Sequence, residues 1–565
     1  MGSSSLFGQL DLGKRSLMAQ QAGMNTTGHN IANINNENFS RQRVALEPQH
    51  PFQSRFGSGV DLKNVERVTD RFLNQRLIGE QSRSAQLSIR ADGLNRLEGL
   101  LNDAEGFGLR EALNQFWSAW GALANSPENE LYRNDLANSA NALARRVAGL
   151  GRDLGNARRE INGRLAERVS RVNELASEIA LLNGKVQQTD RGAGEGNDLR
   201  DQREAALKEL SKLIQIDWLE NDQKVVNVTV GGGFPLVHGR TAYALEASLR
   251  GEGKEALYSI RGLDPKGFTR DLTHELRSGE LAELIALRDD TVPGFSKRLD
   301  ALAAEVALRV NRLHASGTGL NSSFSQLHSS FALKSDARGE PLPLLRDGMF
   351  RLQLVGADNA IAKTYEIKVE SGKDTLADIV AHINQAVADP NVLQARVNSD
   401  GSTTLEAAGR NRFILGQDDS DFAVLMGFNN FFEALHGAED FHVNPRLLQR
   451  PAEISTGKSL LPGDNTVALA IHNLQYAPTM EGDAITFDEF YNGMSADLGL
   501  QINRAQNDKK NQDLILDQFQ RLRDEVSSVN MDEEVADMVQ YQRGFDAAAK
   551  FVSAVDDMTK TVIQM

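Results

Sequence analysis

The residues that could do chemistry are few, and their spacing does not suit it. His436 and His442 flank Glu439 and Asp440, residue types that bind zinc, but only an accident of loop geometry would bring them together. No His-Glu-x-x-His run sets two imidazoles and a base on one helix face. Asp418-Asp419-Ser420-Asp421 lacks the glycine and the distant glutamate of a calcium loop and reads as a turn. Gly192-Ala193-Gly194-Glu195-Gly196 has the glycine content of a phosphate cradle, yet it follows a helical pattern and has no lysine before a Ser or Thr, so it reads as a hairpin turn. There is no Gly-x-Ser-x-Gly elbow, and the absence of cysteine excludes thiolate nucleophiles, thiolate-zinc sites and disulfides. The acidic run Asn530-Met531-Asp532-Glu533-Glu534 is a helix start: Asn530 caps, Glu533 holds the third helical position, and the carboxylates meet the positive end of the helix dipole. The expectation is a protein without catalytic activity, metal or cofactor.

The elements around these residues are mostly helical. Leu73 to Leu101 marks one helical face, and Leu109, Leu113, Phe116, Trp117, Trp120 and Leu123 mark a second, closed by Ser126-Pro127. A long pattern from Leu131 to Val186 is broken at Thr189 to Gly196 and resumes from Leu199 to Leu213, which predicts a helical hairpin. From Ile216 to Leu272 the period changes to that of strands, with Val225 to Val230 the clearest run. Helix returns between Glu275 and Leu313, interrupted near Pro293-Gly294. Between Ser316 and Gly457 the strand candidates are Phe350 to Val355, Tyr365 to Val369, Leu393 to Val397 and Phe413 to Leu415, with one helix from Thr375 to Val387. The chain then reads as helix from Phe487 onward.

This order predicts a multidomain α plus β protein: a long helical stalk built from N- and C-terminal segments, β-rich inserted outer domains, and coiled-coil-like terminal helices. We expect a terminal helical assembly domain from 1–45 with 525–565, and a helical stalk from 46–215 with 273–315 and 458–524. A small β insertion at 216–272 and a mixed β-rich outer domain at 316–457 complete it. Its 565 residues carry 62 basic and 77 acidic side chains, a net charge of -15, which argues against general attraction to nucleic acid or anionic membrane. No apolar run is long enough for a transmembrane helix, and Met1 to Leu12 lacks the basic-then-apolar order of a cleaved secretory signal.

The two ends carry the clearest pattern. Leu10, Leu17, Met24 and Ile31 recur at heptad spacing, with Leu6 and Ile34 adjoining. Near the other end Val535, Met538, Tyr541, Phe545, Ala548, Val552, Val555, Met558, Val562 and Met565 fall three or four residues apart. Terminal helices fray unless something docks them. The first stripe has Gly13, Gln20 and Thr27 on its seam and is too polar to cover both flanks of the second. Neighbouring subunits are therefore expected to supply the rest, with the ends becoming ordered on assembly.

The stretch His29-Asn30-Ile31-Ala32-Asn33 through Phe39-Ser40-Arg41-Gln42 resembles the N-terminal signature of the flagellar axial family of rod, hook and hook-associated proteins. Asn530, Asp532, Glu533 and Gln542, with Ala547 to Lys550, Val555-Asp556 and Met558, resemble its C-terminal signature. Asn30, Asn33, Ser40, Arg41 and Gln42 are the matching positions at the front. Internal landmarks are similar to those of the hook-associated branch: Asn114 to Trp120, Asn197 to Arg203, Gly279 to Ala282 with Leu287 to Asp289, and Met426 to Phe432. Asn36-Glu37-Asn38 stands where Thr-Pro-Gly is frequent; an asparagine there tolerates a left-handed backbone, so a turn is expected to survive. The resemblance implies a structural subunit outside the cell, between flagellar hook and filament, exported by the type III route. It also implies partners: copies of itself, the hook protein, a second junction protein, and an export chaperone on the C-terminal helix. A hook or filament subunit proper, or a secreted enzyme with its chemistry in the outer insert, are the alternatives.

Overall fold

The structure is a computed structural model, and it describes residues 3–48, 59–101, 108–189, 196–251, 253, 256–264, 267, 269–320, 323–332, 340–342, 344–356, 358–434 and 437–564. In chain order, α1 (Ser3–Ala32) is followed by the antiparallel pair β1 (Gln42–Pro48) and β2 (Val60–Arg67), then α2 (Arg71–Leu101), α3 (Leu109–Asn125), α4 (Glu130–Thr189) and α5 (Asn197–Leu213). Strands β3 (Ile216–Glu220), β4 (Val226–Val230), β5 (Phe234–His238), β6 (Thr241–Ala242), β7 (Ala244–Arg250), β8 (Leu257–Leu263) and β9 (Thr269–Asp271) come next. Helix α6 (Glu280–Ala286) passes through a π turn at Leu287–Thr291 into α7 (Val292–Ala315). The next segment holds β10 (Gln326–His328), β11 (Gly348–Val355), β12 (Ile361–Val369), α8 (Leu376–Val387), β13 (Leu393–Val397), β14 (Thr403–Ala407), β15 (Arg412–Asp418), α9 (Phe422–Met426), β16 (Phe432–Glu433), β17 (His442–Val443) and α10 (Pro445–Gln449). Helices α11 (Thr466–Asn473), α12 (Phe487–Ser527) and α13 (Met531–Gln564) follow. The mixed α plus β class is as expected.

The chain divides into two compact units, the first made of Met1–Gly93, Arg159–Asp289 and Ile502–Met565. Its core joins Leu165, Val169, Val172 and Ile179 of α4 to Leu207 and Leu210 of α5, Val228 and Leu236 of the β3-β4-β5-β6 sheet, and Ile260 of the β7-β8-β9 sheet. β4 alternates buried and half-buried residues, as a strand with one face on a core must. Two polar side chains lock helix to sheet. Asn183 exchanges hydrogen bonds with the Val226 backbone at 2.8 and 3.0 Å, and Arg203 donates to Asn183 Oδ1 at 2.9 Å and to the Lys224 carbonyl at 2.7 Å. Gly279, at φ 90°, lies where a Cβ would be 2.9 Å from the Ile214 backbone, so only glycine fits there.

The second unit comprises Leu94–Arg158 and Asp290–Gln501. Phe116 and Trp120 of α3 meet the Phe431-Phe432 pair, with Phe116 5.4 Å from Phe432 and Trp120 5.4 Å from Phe431, while Trp117 stacks on Phe487 at 5.9 Å, so the two landmark motifs form one aromatic core. His314 is fully buried beside it: Nδ1 donates to the Asn429 carbonyl at 2.8 Å and Nε2 accepts the Ser455 N–H at 3.0 Å. That pairing requires a neutral ring, and burial, with Arg446 and Arg133 nearby, lowers its pKa to about 3. A second core lies between the β12-β11-β15 and β10-β14-β13 sheets and α8. Helix α8 starts with a reciprocal cap between Thr375 and Asp378.

Two expectations are corrected. Residues 46–48 and 60–67, placed in the segment expected to be helical stalk, are strand instead: they complete β1 and form β2, with Leu46 opposite Leu62 and Val44 opposite Val65. The break in the 275–313 helix is the π turn at Leu287–Thr291; Pro293 sits in the first turn of α7, where its missing N–H costs no hydrogen bond.

Candidate assembly surface at the chain ends

Within the first unit α1 and α13 pack against each other, and the order of their contacts makes them antiparallel. A Cβ on Gly13 would meet Val552 at 2.5 Å, one on Gly23 would meet the Tyr541 ring at 2.5 Å, and one on Gly544 would meet the Gln20 amide at 2.7 Å. Small residues at these points let the two backbones approach closely. The buried positions of α1 are Gly13, Ala19, Gly23, Thr27 and Asn30, so the seam read as too polar to cover both flanks of the C-terminal stripe is the one that faces α13. Leu10, Leu17, Met24, Ile31 and Ile34 are half-buried.

On α13, Ala548 and Val555 are buried, Met538, Tyr541, Phe545 and Val552 are half-buried, and Val535 and Val562 are each 48% exposed. Phe551 and Met558 are exposed too, as is Phe7 on α1. The β1–β2 hairpin adds further cover for α1: Arg15 of α1 holds Asp61 of β2 at 2.6 Å, and Leu12 packs against Gly59. The partner each terminal helix needs thus comes partly from the same chain, and an apolar flank is left uncovered.

The signature residues meet where α1 ends and α13 begins. The Asn30 carboxamide exchanges hydrogen bonds with the Gln42 backbone at 2.9 and 3.0 Å and donates to Glu534 at 3.0 Å. Arg41 reaches Glu533 and Glu534 at 2.7 Å each and Asp537 at 3.5 Å, while its backbone N–H donates to the Ser527 carbonyl at 2.8 Å. Burial alone would lower the Arg41 pKa, but Glu534 and Glu533 outweigh it and raise it.

On the other side the segment rests on α5. The Ser40 N–H donates to Asp201 at 3.1 Å, Gln42 Nε2 donates to Asp198 at 2.9 Å, and Asn197 donates to Gln42 Oε1 at 3.2 Å. Arg67 joins Ser40 Oγ to Asp201 and Glu204. Burial raises the Asp201 carboxyl above its ordinary range despite Arg67; for Glu204 burial is outweighed by Arg67 and Lys208, and its pKa falls.

The remaining positions are less engaged. Asn33 donates to the His29 carbonyl at 3.0 Å and lines a cleft of about 440 Å³ with Phe39, Arg523 and Val529. Asn530 caps α13 by accepting the Asp532 N–H at 3.0 Å, Asp532 is exposed, and Gln542 is exposed. Glu533 turns its carboxylate to Arg41, so the α13 start serves contact with the front of the chain as well as capping. The turn over Asn36-Glu37-Asn38 forms without a left-handed residue, the Asn36 side chain accepting the Asn38 N–H at 3.2 Å. Glu534, Asn197, Asp198, Asp201 and Arg67 were not picked out as site positions. A glutamate 1% exposed inside an acidic run gives no sequence signal, whereas Asn197 to Asp201 stood out only as a landmark.

The chemistry candidates resolve into structural roles. His436 and most of the 192–196 turn lie outside the described residues. His442 pairs with Glu433 at 3.0 Å, Asp418 accepts from Ser420 and Ala423, and Asp421 takes a two-pronged grip from Arg312 at 2.8 and 2.7 Å. Among the described residues no three His, Asp or Glu side chains cluster to hold a metal, and no helix is long and apolar enough to cross a membrane.

Antiparallel terminal helices tied by these signature residues go with a resemblance to flagellar axial proteins, and the comparisons with known proteins point the same way. Residues 94–327 match the flagellar hook-associated protein FlgK helical domain, and 522–565 match the flagellar basal body rod FlgEFG protein C-terminal segment. The chain is similar to flagellar hook-associated protein 1 of Bacillus subtilis, 25% identical over 572 residues covering 99% of this chain and 98% of the relative. The same-named proteins of Salmonella typhimurium and Escherichia coli are 24% and 21% identical, each covering 97% of this chain and 98% of the relative. In fold it resembles the flagellar hook junction protein FlgK from Burkholderia pseudomallei, with TM-score 0.51 and 16% identity over 81% of this chain and 100% of that one.

Proposed function

We propose that this chain is a non-catalytic structural subunit of the bacterial flagellum that forms the junction between hook and filament. The observation that carries the reading is the uncovered apolar flank on the paired ends, where Phe7, Phe551, Met558 and Val562 lie open to water. Large apolar side chains left open together on a paired-helix flank mark a protein contact. Leu10, Leu17, Met24, Ile31, Ile34, Val535, Met538, Phe545, Val552, Val555 and Val562 form the assembly row, half-buried or exposed apart from Val555, with surface left for copies of the chain and for its axial neighbours. In this reading the division into terminal assembly domain, stalk and outer domains is functional, the uncovered flank of the paired ends is filled on assembly, and export follows the flagellar type III route with a chaperone on α13. Deleting the gene tests it: hooks should persist while filaments detach and accumulate in the medium. Filaments that stay attached would overturn the reading.

A further inference from the structure

We propose that the segment from Asn30 to Gln42 is a splint that sets the direction of α13 relative to α12, with Glu534 as its positioning residue. The two helices are separated by only Ser528, Val529 and Asn530, and a connection of that length leaves a few conformations to choose between. What fixes it comes from the other end of the chain. Above the break, the Ser527 carbonyl accepts the Arg41 N–H at 2.8 Å and Arg523 donates to the Glu37 carbonyl at 2.9 Å. Below it, the Arg41 guanidinium grips Glu533 and Glu534, and Asn30 adds a bond to Glu534. One residue, Arg41, therefore holds both sides of the break, through its main chain on α12 and its side chain on α13.

The splint is itself tied down. Ser40 and Gln42, on either side of Arg41, are bonded to Asp201 and Asp198 of α5. Glu534 is 1% exposed, so a small swing of α13 strips its carboxylate of Arg41 and Asn30 before water can reach it. Glu533 and Asp537 are about half-exposed and lose less. The buried carboxylate therefore favours the engaged angle over those close to it.

The absence of cysteine allows a direct test in the full chain. Spin labels at Gln518→Cys on α12 and Gln540→Cys on α13, both exposed positions, report the distance across the break by pulsed dipolar spectroscopy. The expected result is one narrow distance, broadened at least twofold by Arg41→Gln with Glu534→Gln and unaltered by Asp532→Asn at the same helix start. Should circular dichroism show loss of helix in the double variant, Arg41→Lys is read instead, since it retains the charge without the two-pronged grip. A broad distribution in the unsubstituted chain, or an equally narrow one after the splint is cut, overturns the proposal. The readout lies within one chain, so it stands or falls apart from the role at the hook.

Discussion

Asn30 and Glu534 lie 504 positions apart and share a 3.0 Å hydrogen bond, each residue only 1% exposed. The first and last described helices are thus joined by polar groups that water does not reach, beside a seam of glycines and not of leucines.

Arg41→Ala should destabilise the α13 docking by about 3–5 kcal/mol, because it removes the cationic partner of a buried carboxylate. Glu533→Ala, at a carboxylate 57% exposed, should cost less than about 1 kcal/mol. Amide exchange along α13 measures both. Equal effects would mean that Glu534 is hydrated and the buried bond unimportant.

Gly23→Ala sets a methyl group 2.5 Å from the Tyr541 ring and should cost about 1–3 kcal/mol as the helices are forced apart. Gly8→Ala, with nothing within 4 Å, should instead stabilise α1 by about 0.5–1 kcal/mol. Opposite shifts in thermal unfolding are the expected signature.

The second unit should weaken on acidification through His314. Its folded pKa of about 3 lies below the ordinary 6.5, so the unfolded chain binds the proton more tightly. The contribution is complete above about pH 6.5 and is lost as pH falls toward 3, at up to about 1.4 kcal/mol per pH unit. Denaturant titrations across this range should show the slope, and His314→Gln should flatten it. An unchanged slope would assign it to other groups.

Phe545→Asp places a charge on the half-buried assembly row. Circular dichroism of the purified protein should show the central helices and strands retained, while motility and filament attachment are lost in complementation. Normal swimming would remove this face from assembly.

Much of the helical architecture was legible because long apolar periodicities leave few alternatives: the 131–186 pattern became α4, and the predicted strand 393–397 matches β13. The β1–β2 hairpin was not, because each strand alternates over only two or three apolar residues and the connection is far longer than a hairpin turn. The helical faces were harder still. A heptad of Leu10, Leu17, Met24 and Ile31 advertises a seam, yet backbone proximity to α13 selected Gly13, Gly23 and Thr27, which carry no hydrophobic signal. The signature residues could be marked from the sequence, but Glu534 could not be told from its acidic neighbours until its burial was seen.

The antiparallel pairing of α1 with α13 has a consequence for timing. Any delivery of the chain front end first, from a ribosome or through a narrow conduit, leaves α1 without its mate until α13 arrives, with 504 positions between Asn30 and Glu534. Closure of the α1–α13 pair is then a late event for a newly emerged copy, which leaves that interval free for a neighbouring molecule to claim the vacant seat.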